Sequence, residues 1–322
     1  MIKLSKTLIA GAALLSTAIL YGCTEPQTLN FEYKASKGAS REYDFSSETK
    51  MQMENAGSKE AQEMTISFNV AEDILDVNDK NERKTNYRIK NAKIAKVEDG
   101  KTQEMPMSNL NDQVLTIKST AKGVLTELNG TEISGDAAAM AAPEFIPLIP
   151  FDDNQISVGQ TWEKSTETSN KIPPYDTVQS VNVKTVYTFT GYEKYKTSKV
   201  AKITEKTEST QKTVTNPPKP KEGQEEVPSI TTTVTGTIEG TILFDTKEGI
   251  IVKTEKVSKQ NSAMTIKMKS KKDENGEAQA MKDQTFKRTS ESKITLVLAD
   301  TDSSKDSNKE ESKTESKDTE KK

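Results

Sequence analysis

Cys23 is the only cysteine in the chain, and its thiol is the group best suited to covalent chemistry. A cysteine thiolate is a strong nucleophile near neutral pH and can form a thioether. The residue follows Leu20, Tyr21 and Gly22 at the end of an apolar run. A single cysteine cannot form an internal disulfide. The alternative is a core cysteine that follows an uncleaved anchor.

The chain contains no histidine. This absence removes the usual general base, the commonest metal ligand and the Ser–His and Cys–His nucleophile pairs. Its 49 carboxylates are spread along the whole sequence, so no pair stands out as acid and base. We therefore expect no enzymatic activity, no catalytic residue and no cofactor.

Residues 1–22 have the three parts of a secretory signal peptide. Lys3 and Lys6 provide the positive start, residues 8–20 form an apolar stretch, and the small Gly22 precedes Cys23. The apolar stretch has 13 residues, which is fewer than the roughly 20 that a helix needs to span a bilayer.

The sequence Leu20-Tyr21-Gly22-Cys23 resembles the lipobox of bacterial lipoproteins, with an apolar residue at −3, a small residue at −1 and then cysteine. The resemblance implies that Cys23 carries a diacylglyceryl thioether, that the signal is removed, and that the new amine is acylated, for example with palmitate. Several acyl chains anchor a protein stably, whereas one does so only marginally. The expected location is the bacterial cell envelope, at the outer membrane if the host has two membranes.

The composition predicts a folded protein with a thin core. Hydrophobic residues make up 32% of the chain, charged residues 30%, and the net charge is −3. Without a basic excess to neutralise phosphates, we expect no nucleic-acid partner. Disorder would require a higher net charge, and the regular alternation of apolar residues favours folded structure instead.

Apolar residues alternate with polar ones over long stretches, for example at Met64, Ile66, Phe68 and Val70. This period of two, with abundant Thr and Val, predicts a mainly β fold built from antiparallel sheets. Residues 29–34 are interpreted as the first strand. The segment at 114–128 is weakly similar to that at 241–255, which leaves open two related curved-sheet or half-barrel halves.

We divide the chain into six parts by composition. They are a signal peptide (1–22), a lipidated tether (23–30), a first β half (31–135), an Ala/Pro-rich apolar connector (136–156), a second β half (157–299) and a disordered charged tail (300–322). The tail carries no apolar residue, so it cannot bury a core.

The connector contains the candidate binding residues, which are Phe145, Ile146, Leu148, Ile149 and Phe151. The alanines that precede them could form one short helix ending near Pro143. The five apolar residues follow in an extended, proline-punctuated segment. They could cover an apolar groove as a lid, or simply pack on the sheet as a connection between the halves, which we favour.

The connector is followed by Val158-Gly159-Gln160-Thr161-Trp162. An apolar-proline stretch before a V-G-x-x-W sequence resembles a group of bacterial lipoproteins classed as a domain of unknown function. The resemblance covers about residues 140–260 and implies no activity and no catalytic residues. Gly159 is predicted to form a turn, and Trp162 to lie in the core.

Asp152, Asp153 and Asn154 carry oxygen ligands of the kind that calcium prefers. They lack the spacing and the distal glutamate of an EF-hand, so we favour a solvated loop and expect no metal site.

Two functions of different classes remain. The first is a membrane-anchored envelope lipoprotein with a non-enzymatic binding or structural role. The alternative is a carrier or chaperone of an apolar ligand, a lipid or a lipoprotein, in an open β half-barrel. A large apolar cavity would favour the carrier, and a filled core the first function. The expected partners are the membrane, through the lipid anchor, and an apolar ligand or an envelope protein.

Overall fold

The computed structural model describes residues 28–55, 58–98, 101–132, 144–172, 176–216, 228–267, 271–272, 278–279 and 283–300. These residues contain seventeen β-strands and no helix. The strands are β1 (Thr28–Leu29), β2 (Ser40–Asn55), β3 (Ser58–Val77), β4 (Arg83–Glu98), β5 (Lys101–Pro106), β6 (Val114–Ser119), β7 (Leu125–Leu128), β8 (Thr131–Glu132), β9 (Ile156–Ser157), β10 (Thr161–Ile172), β11 (Asp176–Tyr195), β12 (Ser198–Asn216), β13 (Ser229–Asp245), β14 (Ile250–Lys267), β15 (Lys271–Lys272), β16 (Ala278–Gln279) and β17 (Gln284–Leu298).

Thirteen of these strands form one antiparallel sheet, in the order β10-β11-β12-β13-β14-β17-β2-β3-β4-β6-β7-β8, with β5 paired to β4. The prediction of a mainly β fold with antiparallel sheets is confirmed. Strand β17 lies between β14 and β2. The last long strand of the predicted second half therefore joins both halves into a continuous, open sheet.

Local turn chemistry joins the long strands. The turn between β13 and β14 is closed by the Asp245 carboxylate, whose Oδ1 accepts the backbone N–H groups of Lys247 at 2.9 Å and Glu248 at 3.1 Å. Gly249 ends this turn with a φ of 66°, in the left-handed region that glycine adopts without strain. The two strands then pair over nearly their whole length.

One face of the sheet is covered at one end by two short segments, residues 30–34 and 144–155, which we call the covering segments. The backbone N–H of Tyr33 donates to the carbonyl of Ala121 at 2.8 Å, and the N–H of Phe151 donates to the next carbonyl of the same turn at 2.7 Å. Both segments are thus held at the turn that follows β6. We call this side of the sheet the covered face.

The interpretation of residues 29–34 as a strand is wrong for residues 30–34, because strand structure ends at Leu29. Phe31 and Tyr33 are instead buried beneath the sheet, at 1% and 3% exposure. Alternating aromatic and polar residues fit a strand, and they fit equally well an extended segment that packs one side against a core.

Aromatic rings fill the space between the covering segments and strands β10 to β14. The cluster contains Phe31, Tyr33, Phe151, Trp162, Tyr187, Phe189 and Phe244. The rings of Phe31 and Phe151 stack with centroids 5.1 Å apart, and Phe151 meets Phe244 edge-on at 5.0 Å. Such pairs contribute roughly 0.5–1.5 kcal/mol each beyond the burial of their area.

A second cluster lies on the same face under β2, β3, β4, β6 and β17. Its buried members include Tyr43, Phe45, Phe68, Val70, Tyr87, Ile89, Ile117 and Ile294. The rings of Phe45 and Phe68 stack at 4.4 Å, because the β2–β3 register places these residues directly opposite each other. Ile146 of the second covering segment packs into this cluster.

Several predicted features lie outside the described residues. These are the signal peptide, Cys23, the alanine-rich stretch before Pro143 and residues 301–322 of the charged tail. The domain boundaries assigned to them stay predictions.

Replacing Gly123 by alanine tests the close approach of the covering segments. Gly123 has a φ of 78°, and a Cβ atom there would lie 2.2 Å from the carbonyl oxygen of Ile149 and 2.6 Å from Tyr33 Cε2. The matched control is Gly130→Ala, at a φ of 82° with no heavy atom within 4 Å of the added Cβ.

We expect Gly130→Ala to cost about 1–2 kcal/mol from backbone strain. Gly123→Ala should cost a further 1–3 kcal/mol, roughly, because the segments must move apart. Urea unfolding followed by Trp162 fluorescence measures both losses. Equal losses would contradict the packing described.

Candidate ligand pocket on the covered face

The five predicted binding residues are divided between the core and a pocket. Ile146, Ile149 and Phe151 are buried. Leu148 is half-buried and packs against both clusters. Phe145 is also half-buried, and its ring lines a pocket on the covered face.

This pocket, which we call the Phe145 pocket, has a volume of about 540 Å³. It lies between the sheet, the loop after β5 and the start of the second covering segment. Its apolar lining consists of Phe45, Ile66, Phe68, Tyr87, Ile89, Leu110, Val114, Leu115 and Phe145. Its polar lining consists of Ser47, Gln113, Asn129 and Glu144. Its volume falls within the range of roughly 300–1,000 Å³ typical of small-molecule sites.

Phe145 closes one side of the pocket. Its ring meets Phe68 edge-on, with centroids 5.6 Å apart and an angle of 81° between the planes. It meets Phe45 in the same manner at 6.4 Å. The opposite wall is fixed by backbone hydrogen bonds from β4, since Ile89 accepts the N–H of Asp112 at 2.9 Å.

A largely buried ionic group, formed by Arg41, Glu72 and Arg83, lies next to Tyr87, which lines the pocket. The Tyr87 hydroxyl donates to Glu72 Oε1 at 2.8 Å. Arg41 Nη1 lies 3.0 Å from Glu72 Oε2, and Arg83 Nη1 lies 3.8 Å from Oε1. Burial and the nearby Glu72 carboxylate raise the pKa of Tyr87 well above its ordinary value, so the phenol stays protonated and remains a donor.

Arg83 connects this ionic group to the first covering segment. Its guanidinium carbon lies 4.5 Å from the centroid of the Tyr33 ring, and its Nε donates to Ser119 Oγ at 3.1 Å. The Tyr33 hydroxyl in turn accepts the N–H of Ile149 at 2.7 Å. The floor of the pocket and both covering segments therefore belong to a connected set of polar contacts.

Other pockets of the described chain are less apolar. One of about 740 Å³ is lined by charged residues that include Lys206, Glu239 and Lys293. Another of about 640 Å³, at the far end of the long strands, combines Met264 and Phe286 with four charged side chains. The Phe145 pocket is therefore the candidate for an apolar ligand.

The tryptophan and the acidic triplet identified in the sequence both make local contacts in the structure. Trp162 is buried as predicted, stacks on Tyr187 with centroids 5.3 Å apart, and donates from Nε1 to the carbonyl of Pro150 at 2.9 Å. Asp152 Oδ1 accepts the backbone N–H of Asn154 at 3.2 Å, which closes a local turn. Within the described ranges, no group of three or more acidic or cysteine residues is arranged to hold a metal ion.

Sequence reasoning missed Tyr33, Glu72 and Arg83, as well as a buried ion pair between Glu205 and Lys256 at 2.8 Å. The charged residues stand in strands rich in similar residues, so no local signal separates them. No helix in the described part of the chain is long and apolar enough to cross a membrane.

No protein-family model and no curated protein matches the chain. Among solved structures, OccK2 of Pseudomonas aeruginosa in complex with glucuronate is 6% identical, with a TM-score of 0.25, over 82% of this chain and all of that one. A DUF1329 family protein from Desulfovibrio piger is 10% identical, with a TM-score of 0.13, over 79% of this chain and 85% of that one.

An outer membrane lipoprotein-sorting protein domain from Vibrio parahaemolyticus is 9% identical, with a TM-score of 0.13, over the same shares of the two chains. TM-scores this low do not transfer any property of these proteins to the present chain. The resemblance of the V-G-x-x-W segment to a lipoprotein family stays a prediction.

Replacing Glu72 by alanine tests the ionic group beneath the pocket. The substitution leaves Arg83 buried and without its counter-charge, so we expect a loss of about 3–5 kcal/mol in the free energy of unfolding. The matched control is Glu63→Ala, which removes the exposed pair with Lys50, at 53% and 75% side-chain exposure. We expect a loss below about 1 kcal/mol there. Urea titration measures both, and similar losses would contradict the assigned role.

Proposed function

We propose that the protein is a bacterial envelope lipoprotein, anchored by acyl chains on Cys23, that binds an apolar ligand in the Phe145 pocket. The observation that carries this proposal is the pocket itself, which is an apolar recess on the covered face. Its floor is rigid because Phe45, Phe68 and Tyr87 belong to the packed core.

The arrangement of the pocket suits a ligand with an apolar body. Phe145 belongs to the second covering segment, outside the strands, whereas the floor is part of the sheet. Phe145 can therefore move without disturbing strand pairing. Specific ligand sites commonly combine such apolar walls with a few polar groups that fix orientation, and Ser47, Gln113 and Glu144 are in place to do so.

The anchor and the first covering segment lie close along the chain. The described structure begins at Thr28, five positions after Cys23, and five residues span at most roughly 18 Å when fully extended. The first covering segment follows directly at residue 30. A lipidated Cys23 would thus hold the covered end of the sheet near the membrane surface, where apolar ligands are available.

A structural or partner-binding role is the second candidate. It is favoured by the aromatic cluster around Phe31 and Phe151, which packs the covered ends of β10 to β14. In this case the Phe145 pocket would be a packing defect between the sheet and the second covering segment. Ligand binding separates the two roles.

Cys23→Ser tests the anchor. We expect radiolabelled palmitate to enter the wild-type chain but not the variant, and the variant to leave the membrane fraction, because the thioether needs the thiol. Thr24→Ser is the matched control, with a change of similar size at the next position, and should keep both the label and the membrane location. Palmitate incorporation into Cys23→Ser would contradict the lipobox interpretation.

Dodecanol, an uncharged probe, tests the pocket. The Cys23→Ser full chain should bind one molecule in native mass spectrometry and titration. Phe145→Ala should weaken binding about tenfold, since the probe loses an aromatic wall worth about 1.4 kcal/mol. Ile172→Ala, at an exposed position on β10, is the control and should bind like the parent. No binding by the parent would overturn the apolar-ligand function and favour the structural one.

A further inference from the structure

A row of directly opposed residues crosses the covered face next to the Phe145 pocket. The register places Glu205 opposite Gly240, Gly240 opposite Lys256, and Lys256 opposite Ile294. Ile294 in turn lies opposite Ser47, which lines the pocket. Lys256 and Ser47 are therefore two strands apart, a separation of roughly 10 Å between backbones.

Gly240 permits an ion pair across the strand between its partners. Lys256 Nζ lies 2.8 Å from Glu205 Oε2, and the two side chains are 14% and 6% exposed. A Cβ at Gly240 would lie 2.8 Å from Lys256 Cγ and 2.9 Å from the carbonyl oxygen of Glu255. Any other residue at this position would thus displace the lysine.

One oxygen of the Glu205 carboxylate can still accept a hydrogen bond. Glu205 Oε1 accepts a hydrogen bond from the Thr207 hydroxyl at 3.3 Å. The geometry of the Lys256 contact is not that of a hydrogen bond, so Oε2 is buried without a hydrogen-bond donor in the described part of the chain. The charge of Lys256 is already matched by Glu205, so it is not free to bind an anion.

Glu144 is the only charged residue among the described residues that line the pocket. Its carboxylate interacts electrostatically with both Lys256 and Glu205. Burial and the negative charge of Glu205 raise the pKa of Glu144 above its ordinary value, and Lys256 opposes this increase. With Glu144 ionised, the three groups carry a net charge of −1, and Glu144 places negative charge in the lining of an apolar recess.

We propose that the pocket takes an amphiphile with a positively charged polar group, an alkylammonium or an amine-bearing lipid, whose charge lies beside Glu144. This inference rests on the proposed binding of an apolar ligand and adds the chemistry of its polar end. A cation offsets the surplus negative charge in a partly desolvated site, whereas an anion would have to approach two carboxylates and a lysine that is already paired.

Three probes of equal chain length test this inference on the Cys23→Ser full chain. They are dodecylammonium, dodecanoate and dodecanol, titrated below their micelle concentrations at about pH 7, where the amine is charged and the acid ionised. We expect dodecylammonium to bind at least about tenfold more tightly than dodecanoate, with dodecanol between them.

Glu144→Gln assigns the preference to a residue. This substitution removes a charge from an exposed side chain, so folding should be kept, which thermal unfolding checks. We expect the preference for ammonium over carboxylate to fall to within roughly twofold. Asp153→Asn, an equal change at an exposed position of the same covering segment, should leave the preference unchanged.

The pH dependence gives a second readout. The cation needs an ionised Glu144, whose pKa is raised above its ordinary value. Dodecylammonium binding should therefore weaken as the pH falls from neutral toward the pKa of Glu144, and this dependence should be absent in Glu144→Gln.

The results of these experiments distinguish failure of the cation preference from failure of the proposed apolar-ligand function. Dodecanol binding together with dodecanoate binding as tight as that of dodecylammonium would overturn the cation preference and leave the apolar site standing. A preference that survives Glu144→Gln would overturn the assignment to Glu144. Failure of all three probes would overturn the apolar-ligand function itself.

Discussion

A wide single sheet can keep an apolar face dry only where other residues lie across it. In the described part of this chain, the cover consists of two short segments, residues 30–34 and 144–155, held to the turn after β6 by backbone hydrogen bonds. Beyond the cover, the same face carries half-buried polar residues that tolerate water, such as Ser209 and Gln211 on β12. The length of the cover therefore sets the length of the core.

Tyr33 connects the cover to the sheet. Its hydroxyl binds the backbone of Ile149, its ring lies against Arg83, and it contacts Phe151 and Phe244 edge-on or tilted. Burial raises the pKa of Tyr33 well above its ordinary value, so the phenol remains neutral. A shift of the covering segment by one residue would break all of these contacts together, which fixes its alignment on the sheet.

The ionic group beneath Tyr33 loses solvation energy on burial, and it also positions the residues around it. Charges taken from water lose solvation, and a buried pair often adds little net stability over an apolar replacement. Here Glu72 is satisfied by Tyr87 and Arg41, while Arg83 Nη2 is left without a hydrogen-bond partner among the described residues. The contacts that this group makes are directional, unlike apolar packing, and so it specifies position more than it adds stability.

Sequence patterns predicted the fold class because alternation is a local property. Met64 to Val70 and their equivalents show which residues share a face, and Trp162 stands where an isolated large apolar residue is expected. The covering role of Phe31 and Tyr33 was not predictable, since an extended segment shows the same alternation as a strand. The pocket was only partly predictable. Phe145 was identified from composition, but the electrostatic interaction of Glu144 with Lys256 joins residues more than 100 positions apart in the chain.

The strand register also places a buried ion pair two strands away from the lining of the Phe145 pocket. Residues that pair directly across antiparallel strands point to the same face, and a slip by one residue would reverse every side chain. The row from Glu205 through Lys256 and Ile294 to Ser47 therefore exists only in this register. It sets the buried ion pair of Glu205 and Lys256 at one end and Ser47, in the pocket lining, at the other. Under the proposed function, a ligand would place its apolar part against Phe68 and Phe145 and its charged group beside Glu144. The lysine that reaches Glu205 needs the glycine at position 240, because a Cβ there would lie 2.8 Å from Lys256 Cγ.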